Sequence, residues 1–156
     1  MPIHVREFQS ADREFILSLV PRFSEFDLPV WRTSEEIDDT NHLALQKAMD
    51  QPEPDSVIFV AENEAKTPLG FIRLQTVTDF FSGKQHGYIS DVAVAKAREG
   101  QGVGRILMKT AETWARDLGY ENLTLFVFAD NKRAQRIYEK AGFGQDIVRY
   151  FKPLNS

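Results

Sequence analysis

Apolar side chains recur in two different periods along this 156-residue chain, and the two periods predict strands and helices. Alternating stretches bounded by turn residues predict strands at residues 2–8, 56–61, 70–78, 86–94, 122–128 and 146–152. Apolar residues three and four positions apart predict helices at residues 10–26, 34–49, 102–118 and 130–141. This order predicts an α/β fold, a sheet with helices on both faces, in a single domain over residues 1–156.

The composition indicates a folded core and excludes several kinds of chemistry. Hydrophobic residues make up 42% of the chain, and there is no cysteine, so disulfides, thiolate-bound metals and a cysteine nucleophile are excluded. The three histidines (His4, His42 and His86) are scattered, and no metal site is expected. No apolar run is long enough to span a bilayer and no secretory leader pattern opens the chain, so we expect a cytoplasmic protein without membrane contact.

Charge is distributed unevenly along the chain. Residues 25–55 contain nine acidic and two basic side chains, whereas the whole chain has a net charge of -4. This pattern is typical of a protein that handles a cation on its acidic side and an anion on its mildly basic side. The alternative is that exposed helices are simply charged. The net negative charge argues against general binding of nucleic acid.

A glycine-rich turn joins the predicted strand at 86–94 to the helix that follows it. Its three glycines, at 100, 102 and 104, allow peptide N–H groups to point outward at a helix N-terminus, where the helix dipole favours an anion. A phosphate or pyrophosphate is the expected ligand, with Arg98 and Arg105 at its edges. The turn lacks the Gly-Lys-Ser/Thr of a Walker A loop and the spacing of a dinucleotide fingerprint. A glycine-rich connection without a ligand is the alternative.

Two motifs on these elements resemble one enzyme family. Glu99-Gly100-Gln101-Gly102-Val103-Gly104 resembles the Gln/Arg-x-x-Gly-x-Gly/Ala signature of the GCN5-related N-acetyltransferase (GNAT) family. Further along, Asn131-x-x-Ala134-x-x-x-Tyr138-x-x-x-Gly142-Phe143 resembles the family's second motif, and the similarity is strongest over residues 86–143. Glu99 departs from the pattern, because the family usually has Gln or Arg at this position.

The resemblance implies the family's fold and its co-substrate. The fold is a mixed, mostly antiparallel sheet of six to seven strands, flanked by about four helices, with splayed central strands. The co-substrate is acetyl-CoA, its pantetheine arm paired with the fourth strand and its pyrophosphate on the turn. The residues that the resemblance assigns to acetyl-CoA are Val92, Ala93, Val94, Glu99, Gly100, Gln101, Gly102, Val103, Gly104, Arg105, Asn131, Ala134 and Tyr138.

The resemblance also implies candidate catalytic groups. Asn131 and Tyr138 are expected near the thioester sulfur, where the Tyr138 phenol can protonate the leaving thiolate; an ordinary core aromatic is the alternative. Asp91 is the acidic candidate for the base, although strand alternation predicts it opposite Ser90 and Tyr88. Asp91 could act through a water molecule, or a backbone-bound water chain or another acid could remove the proton. In the latter cases Asp91 would be a structural carboxylate. Backbone N–H groups of the fourth strand are expected to polarise the carbonyl.

The acceptor is expected to bind the segment 23–49 and the turn at Phe80-Phe81. An apolar wall there is predicted from Phe26, Leu28, Trp31, Phe80 and Phe81, with acidic Glu25, Asp27, Glu35 and Glu36 to attract a cation. Core or dimer contacts are the alternative for these aromatic residues. A small-molecule or peptide amine is the expected acceptor, and a polyamine, an aminoglycoside, an amino-acid derivative or a peptide N-terminus would each fit.

The sequence therefore predicts an acetyl-CoA-dependent N-acetyltransferase, an acyltransferase that transfers groups other than aminoacyl groups. The resemblance implies direct transfer to a primary amine in a ternary complex. Members of the family often form homodimers, and the sequence leaves the oligomeric state open. The alternative is a non-catalytic acyl-CoA-binding sensor or partner module on the same fold.

Overall fold

The strands lie side by side in chain order in one five-stranded sheet. The computed structural model describes residues 2–154. Neighbouring strands β1 to β4 are antiparallel, and β4 and β5 are parallel. The strands are β1 (His4–Glu7), β2 (Val57–Glu62), β3 (Pro68–Thr78), β4 (Gln85–Val94) and β5 (Leu123–Leu125).

Helices cover both faces of this sheet. The four α-helices are α1 (Arg13–Ser18), α2 (Ser34–Asp50), α3 (Val103–Asp117) and α4 (Lys132–Lys140). Thr33 begins α2, since its side chain accepts a hydrogen bond from the Glu36 N–H at 3.1 Å. Gly119, with φ +79°, follows the end of α3 in a conformation that glycine adopts without strain.

Each face of the sheet has its own hydrophobic core. The core under α3 includes Ile89, Leu107 and Ala111. The core under α1 and α2 includes Ile16, Leu45, Val60, Phe71 and Ala93. This division confirms the predicted α/β class with helices on both faces.

A β-bulge in β4 changes which residues face each core. Arg73 pairs with Asp91 and the next residue of β3 pairs with Ile89, so Ser90 is the extra residue. Ile89 lies in the α3 core, whereas Ala93 lies in the α1–α2 core. Asp91 therefore lies on the α1–α2 face, as does Tyr88. The prediction that Asp91 lies opposite Tyr88 was wrong, because simple alternation does not pass through a bulge.

Three predicted elements differ from the structure. The helix predicted at 10–26 is broken into α1 and 3₁₀ turns at Ser10–Asp12 and Val20–Ser24, because Pro21 lacks the N–H that a continuous α-helix needs. The strand predicted at 122–128 ends at Leu125, and 146–152 forms no strand. Within residues 2–154 the sheet thus has five strands rather than six to seven. The strand predicted at 146–152 is absent because a strand must pair with the edge of a sheet. The edge strand β5 is only three residues long and offers little backbone for pairing.

Candidate functional site

The two strands at the end of the sheet separate partway along their length. The pairing of β4 with β5 ends at Ile89 and Leu125, but β4 continues to Val94. In the described part of the chain no strand lies beside β4 from Ser90 onward on this side. The predicted splay is therefore present, and it leaves backbone groups of β4 along an open gap.

The glycine turn lies just beyond this gap, at the start of α3. Gly100 and Gly102 have φ values of +78° and +85°, which glycine adopts without strain. A Cβ atom at either position would meet no heavy atom within 4 Å, so both face open space. Within residues 2–154, the N–H groups of residues 100–105 have no hydrogen-bond acceptor. Six free donors at the N-terminus of a 15-residue helix form a site for an anion.

The end of β4 packs directly against the start of α3. A Cβ at Gly104 would lie 3.8 Å from Val94 Cγ2, and Val103 is buried. Val92, Val94 and Tyr138 all pack on the α3 core. The structure thus places Val92, Val94, Val103 and Tyr138 around one core, whereas Ala93 lies in the core under α1 and α2.

Glu99 makes ion pairs with two arginines. Its carboxylate accepts hydrogen bonds from Arg22 and lies 3.2 Å from Arg133 Nη2. These bonds, that with Arg22 first, hold the pKa of Glu99 below its usual value. The Glu99 carboxylate is therefore directed toward the guanidinium groups of Arg22 and Arg133.

Arg22 connects the segment before α2 to the end of β4. Its Nε donates to the Val94 carbonyl oxygen at 3.1 Å, and its Nη1 donates to Glu25 at 2.8 Å. Four residues further on, the Phe26 ring packs on Phe128, with centroids 5.2 Å apart. Phe128 lies three residues beyond the end of β5. The segment from Arg22 to Phe26 therefore bridges the two splayed strands.

Helix α4 brings Tyr138 to the α3 side of the gap. Asn131 begins this helix, since its Oδ1 accepts from the Ala134 N–H at 3.2 Å. Gln135 Nε2 donates to the Phe128 carbonyl oxygen at 3.0 Å, which fixes α4 to the chain beyond β5. Tyr138 is half-buried with its ring against Phe143, and burial raises its pKa. Its phenol therefore stays protonated at neutral pH.

Asp91 is buried on the face of the sheet opposite α3, where it forms an ion pair with Arg73. Its Oδ2 accepts from Arg73 Nε at 2.6 Å, and the residue is 8% exposed. Burial raises the pKa of the Asp91 carboxyl, and the ion pair with Arg73 opposes that rise. Beside it, the Ser90 hydroxyl donates to Gln75 Oε1 at 2.5 Å. This geometry favours the structural alternative for Asp91.

The predicted apolar wall is divided between two places. Trp31 packs on Phe151 with centroids 5.1 Å apart, and the Arg32 guanidinium lies 3.9 Å from the centre of the Trp31 ring. Phe80 and Phe81 instead pack on each other in the β3–β4 turn, at the end of β4 away from the glycine turn. The structure does not bring these two phenylalanines to the gap.

Several residues of the site were missed because periodicity carries no signal for a side chain that acts across the fold. Arg22 lies 77 positions from Glu99. Gln135 was passed over between two motif residues, although its position in the first turns of α4 was a usable signal. The residues missed are Arg22, Arg32, Arg73, Arg133 and Gln135.

Comparison with known proteins identifies the family. The profile of the Acetyltransferase (GNAT) family matches residues 18–143, and the chain belongs to this family. The predicted family is confirmed, and with it the predicted class of N-acetyltransferases at the level of the family. The family uses acetyl-CoA. Within residues 2–154, no helix is long and apolar enough to cross a membrane.

Particular relatives resemble parts or all of the chain. Mycothiol acetyltransferase of Propionibacterium freudenreichii is 35% identical over 86 residues, which are 55% of this chain and 27% of that protein. The other curated relatives that match most strongly are also covered over less than half of their length.

Two solved structures share the fold over nearly the whole chain. A Pyrococcus furiosus protein provisionally named an acetyl transferase has a TM-score of 0.77 at 26% identity, with 98% of this chain and 100% of that chain covered. The aminoglycoside acetyltransferase AAC(6')-Iy, in complex with a CoA bisubstrate analogue, has a TM-score of 0.70 at 17% identity, with 98% and 99% covered. At that identity the second likeness concerns the fold alone.

Proposed function

We propose that this protein is an acetyl-CoA-dependent N-acetyltransferase that transfers an acetyl group directly to a primary amine in a ternary complex. The observation that carries the proposal is the run of six unpaired N–H groups at residues 100–105, at the open gap beside β4. An anion on the turn and an extended arm along the gap match the two parts of acetyl-CoA.

The residues present fit this co-substrate. The N–H groups of Gly100, Gln101, Gly102, Val103, Gly104 and Arg105 would bind its pyrophosphate, because free donors and the positive end of α3 favour an anion. The stretch of β4 at Val92, Ala93 and Val94, which β5 does not pair with, would pair with the amide groups of the arm, although the Val94 carbonyl oxygen already accepts from Arg22. Glu99 would not bind the pyrophosphate itself, because its carboxylate is paired with Arg22 and Arg133; its role would be to hold Arg22 at the end of β4.

Acetyl-CoA supplies an activated acetyl group on a thiol that leaves as a thiolate. Backbone N–H groups of β4 would polarise the thioester carbonyl when the amine attacks its carbon. The Tyr138 phenol, whose pKa burial raises further above neutrality, would donate its proton to the leaving sulfur. Asn131 and Ala134 would shape the first turn of α4 around that sulfur.

The amine must lose a proton before or during attack. Asp91 is the one acid on β4, and its carboxylate is buried with Arg73. We therefore assign Asp91 to holding β3 and β4 together, and the amine proton to solvent. A small-molecule or peptide amine as acceptor, a homodimer and a cytoplasmic location remain predictions.

Calorimetric titration with acetyl-CoA and with CoA tests the proposal. The wild type is expected to bind both, and the double variant Gly102→Asp/Gly104→Asp is expected to lose binding through repulsion at the turn. Gly83→Asp is the matched control, because Gly83 also has a positive φ (+73°) and open space but lies in the β3–β4 turn. Absence of binding by the wild type would overturn the co-substrate assignment.

A screen of amines with thiol release as the readout separates the enzyme from a non-catalytic acyl-CoA-binding module. Release of CoA that depends on the added amine supports the transferase. Tight binding of acetyl-CoA without turnover of any amine supports the sensor or partner module.

A further inference from the structure

Arg32 differs from three arginines that the fold pairs with acids. Arg22, Arg73 and Arg133 are each held by carboxylates. Arg32 is half-buried, and within residues 2–154 its guanidinium has neither an ion pair nor a hydrogen-bond acceptor. A half-buried cation without an anionic partner is available to bind an anion from outside the chain.

Stacking on aromatic rings holds the Arg32 guanidinium without using its donors. Its central carbon lies 3.9 Å from the Trp31 ring centroid and 5.6 Å from that of Phe128. Stacking uses the flat face of the guanidinium, whereas its five N–H donors lie in the plane and point outward. The rings therefore orient a fork that matches the two oxygens of a carboxylate or phosphate.

The contacts of Phe128 connect Arg32 to segments that border the gap. Phe128 contacts both Arg32 and Phe26, and Phe26 belongs to the segment that bridges the splayed strands. The Phe128 carbonyl also accepts from Gln135, which lies one turn before Tyr138 on α4. Arg32 thus lies beside Phe128, which is in the chain that follows β5.

We propose that the acetyl acceptor carries an anionic group, a carboxylate or a phosphate, on the same molecule as its amine, and that Arg32 binds this group. The inference rests on the proposed N-acetyltransferase function and specifies its substrate class. Amino acids and phosphorylated amines belong to this class. Polyamines and aminoglycosides do not, because all their charged groups are cationic. The exposed Glu35 and Glu36 follow Arg32 in the first turn of α2 and supply the negative charge that attracts the ammonium end.

Matched acceptor pairs test the inference through CoA release. One arm compares L-amino acids with their carboxamides, and the other compares O-phosphoethanolamine with ethanolamine. We expect kcat/KM to be at least about ten-fold higher for the anionic member of one pair, as for a charge-assisted hydrogen bond. The pair that shows this preference identifies whether the anionic group that Arg32 binds is a carboxylate or a phosphate. Carboxamides hold a larger share of neutral amine than the acids, so a preference for the acids is not an effect of amine ionisation.

Two variants connect the preference to Arg32. Arg32→Gln is expected to lower kcat/KM for the anionic acceptor at least about ten-fold more than for its neutral partner. Arg116→Gln, on the exposed side of α3, is the control and should keep the preference. The inference is overturned if the neutral members react as fast as the anionic ones, or if Arg32→Gln slows both equally. In either case turnover itself still supports the transferase.

Trp31 fluorescence supplies a readout that does not need turnover. In a Trp114→Phe background, Trp31 is the one remaining tryptophan. With CoA present, the anionic acceptor should change Trp31 emission saturably, its neutral partner should not, and Arg32→Gln should abolish the response. A response without turnover supports the inference and contradicts the proposed activity. Equal responses to both members, or none to either, overturn the inference.

Discussion

Arg73 donates from Nε to Oδ2 of Asp91 at 2.6 Å, across the β3–β4 pair and next to the bulge at Ser90. Both side chains are largely buried, at 15% and 7% exposed. The acid that strand position made a candidate base is therefore bound by a cation from the neighbouring strand.

We predict that Asp91→Asn mainly destabilises the fold. Loss of the carboxylate leaves a buried guanidinium without its counter-charge, at a cost of about 3 kcal/mol in the free energy of unfolding. Urea unfolding measures this cost. At pH values where the variant is folded, its kcat/KM should depend on pH as that of the wild type does. Loss of the acidic limb of that profile would instead identify Asp91 as the base.

Tyr138→Phe is predicted to lower kcat by about 100-fold while the KM for acetyl-CoA changes little. The variant removes only the hydroxyl, and the ring keeps its packing against Phe143. Steady-state kinetics on any accepted amine separates the two constants. Phe143→Leu, which alters the packing but keeps the phenol, is the control. Unchanged kcat in Tyr138→Phe would remove the acid role.

Most of the fold was predictable because it depends on local patterns. Strand β4 and helix α3 were predicted within one residue at each end, since a period and a glycine turn define both. The bulge at Ser90 and the break at Pro21 were not predicted. The bulge depends on how β4 pairs with β3, which no local pattern shows. The break at Pro21 is hidden because the helical pattern of apolar residues continues on both sides of it.

The site was predictable where a glycine-rich turn or a family motif carries a signal. The turn at 100–105 came from its glycines, and the roles of Asn131 and Tyr138 came from the family motif. Arg22 and Arg32 came from the structure, because an ion pair or a ring stack depends on which segments the fold brings together. Their positions on an irregular segment between α1 and α2 follow no period.

Glu99→Gln is predicted to tighten binding of CoA by about three-fold. It removes a negative charge beside the anion site, and solvent screens most of this effect. It also releases Arg22, which bonds to Glu99 and to the Val94 carbonyl, so kcat should fall. Calorimetry and kinetics measure the two effects. Glu121→Gln, an exposed acid paired with Lys84 away from the turn, is the control. Weaker binding of CoA in Glu99→Gln would contradict the electrostatic argument.

Gly70→Ala is predicted to lower stability by about 2 kcal/mol and to raise the KM for acetyl-CoA. A Cβ at Gly70 would lie 2.7 Å from the Ala93 carbonyl oxygen and 3.2 Å from Val94 Cα, so β4 must shift at its open end. Thermal unfolding and kinetics measure both effects. Gly144→Ala, where a Cβ meets nothing within 4 Å, should be neutral. If Gly70→Ala has wild-type stability, then β4 shifts to accommodate the added Cβ at no cost in free energy.

The last prediction concerns acid stability. Asp12 is 5% exposed, and its Oδ2 accepts from Arg6 Nη1 at 2.8 Å and from the Gln9 N–H at 2.8 Å. The hydrogen bond from Arg6 is the largest cause that lowers the pKa of Asp12 below its ordinary value of 3.8. Because the folded state binds the proton less tightly than the unfolded state, this carboxylate contributes its full stability above the ordinary pKa. The contribution is lost as the pH falls from there through the lowered pKa.

Asp12→Asn should therefore cost about 2 kcal/mol at neutral pH and progressively less in acid. Arg6 keeps its pair with Glu62 at 3.0 Å, so the variant should still fold. Urea unfolding of both proteins between about pH 6 and about pH 3 measures the difference in the free energy of unfolding. Asp50→Asn, at an exposed ion pair with Arg13, is the control and should cost little stability at neutral pH. A difference for Asp12→Asn that does not shrink in acid would mean that the carboxylate charge is not what stabilises this corner of the fold.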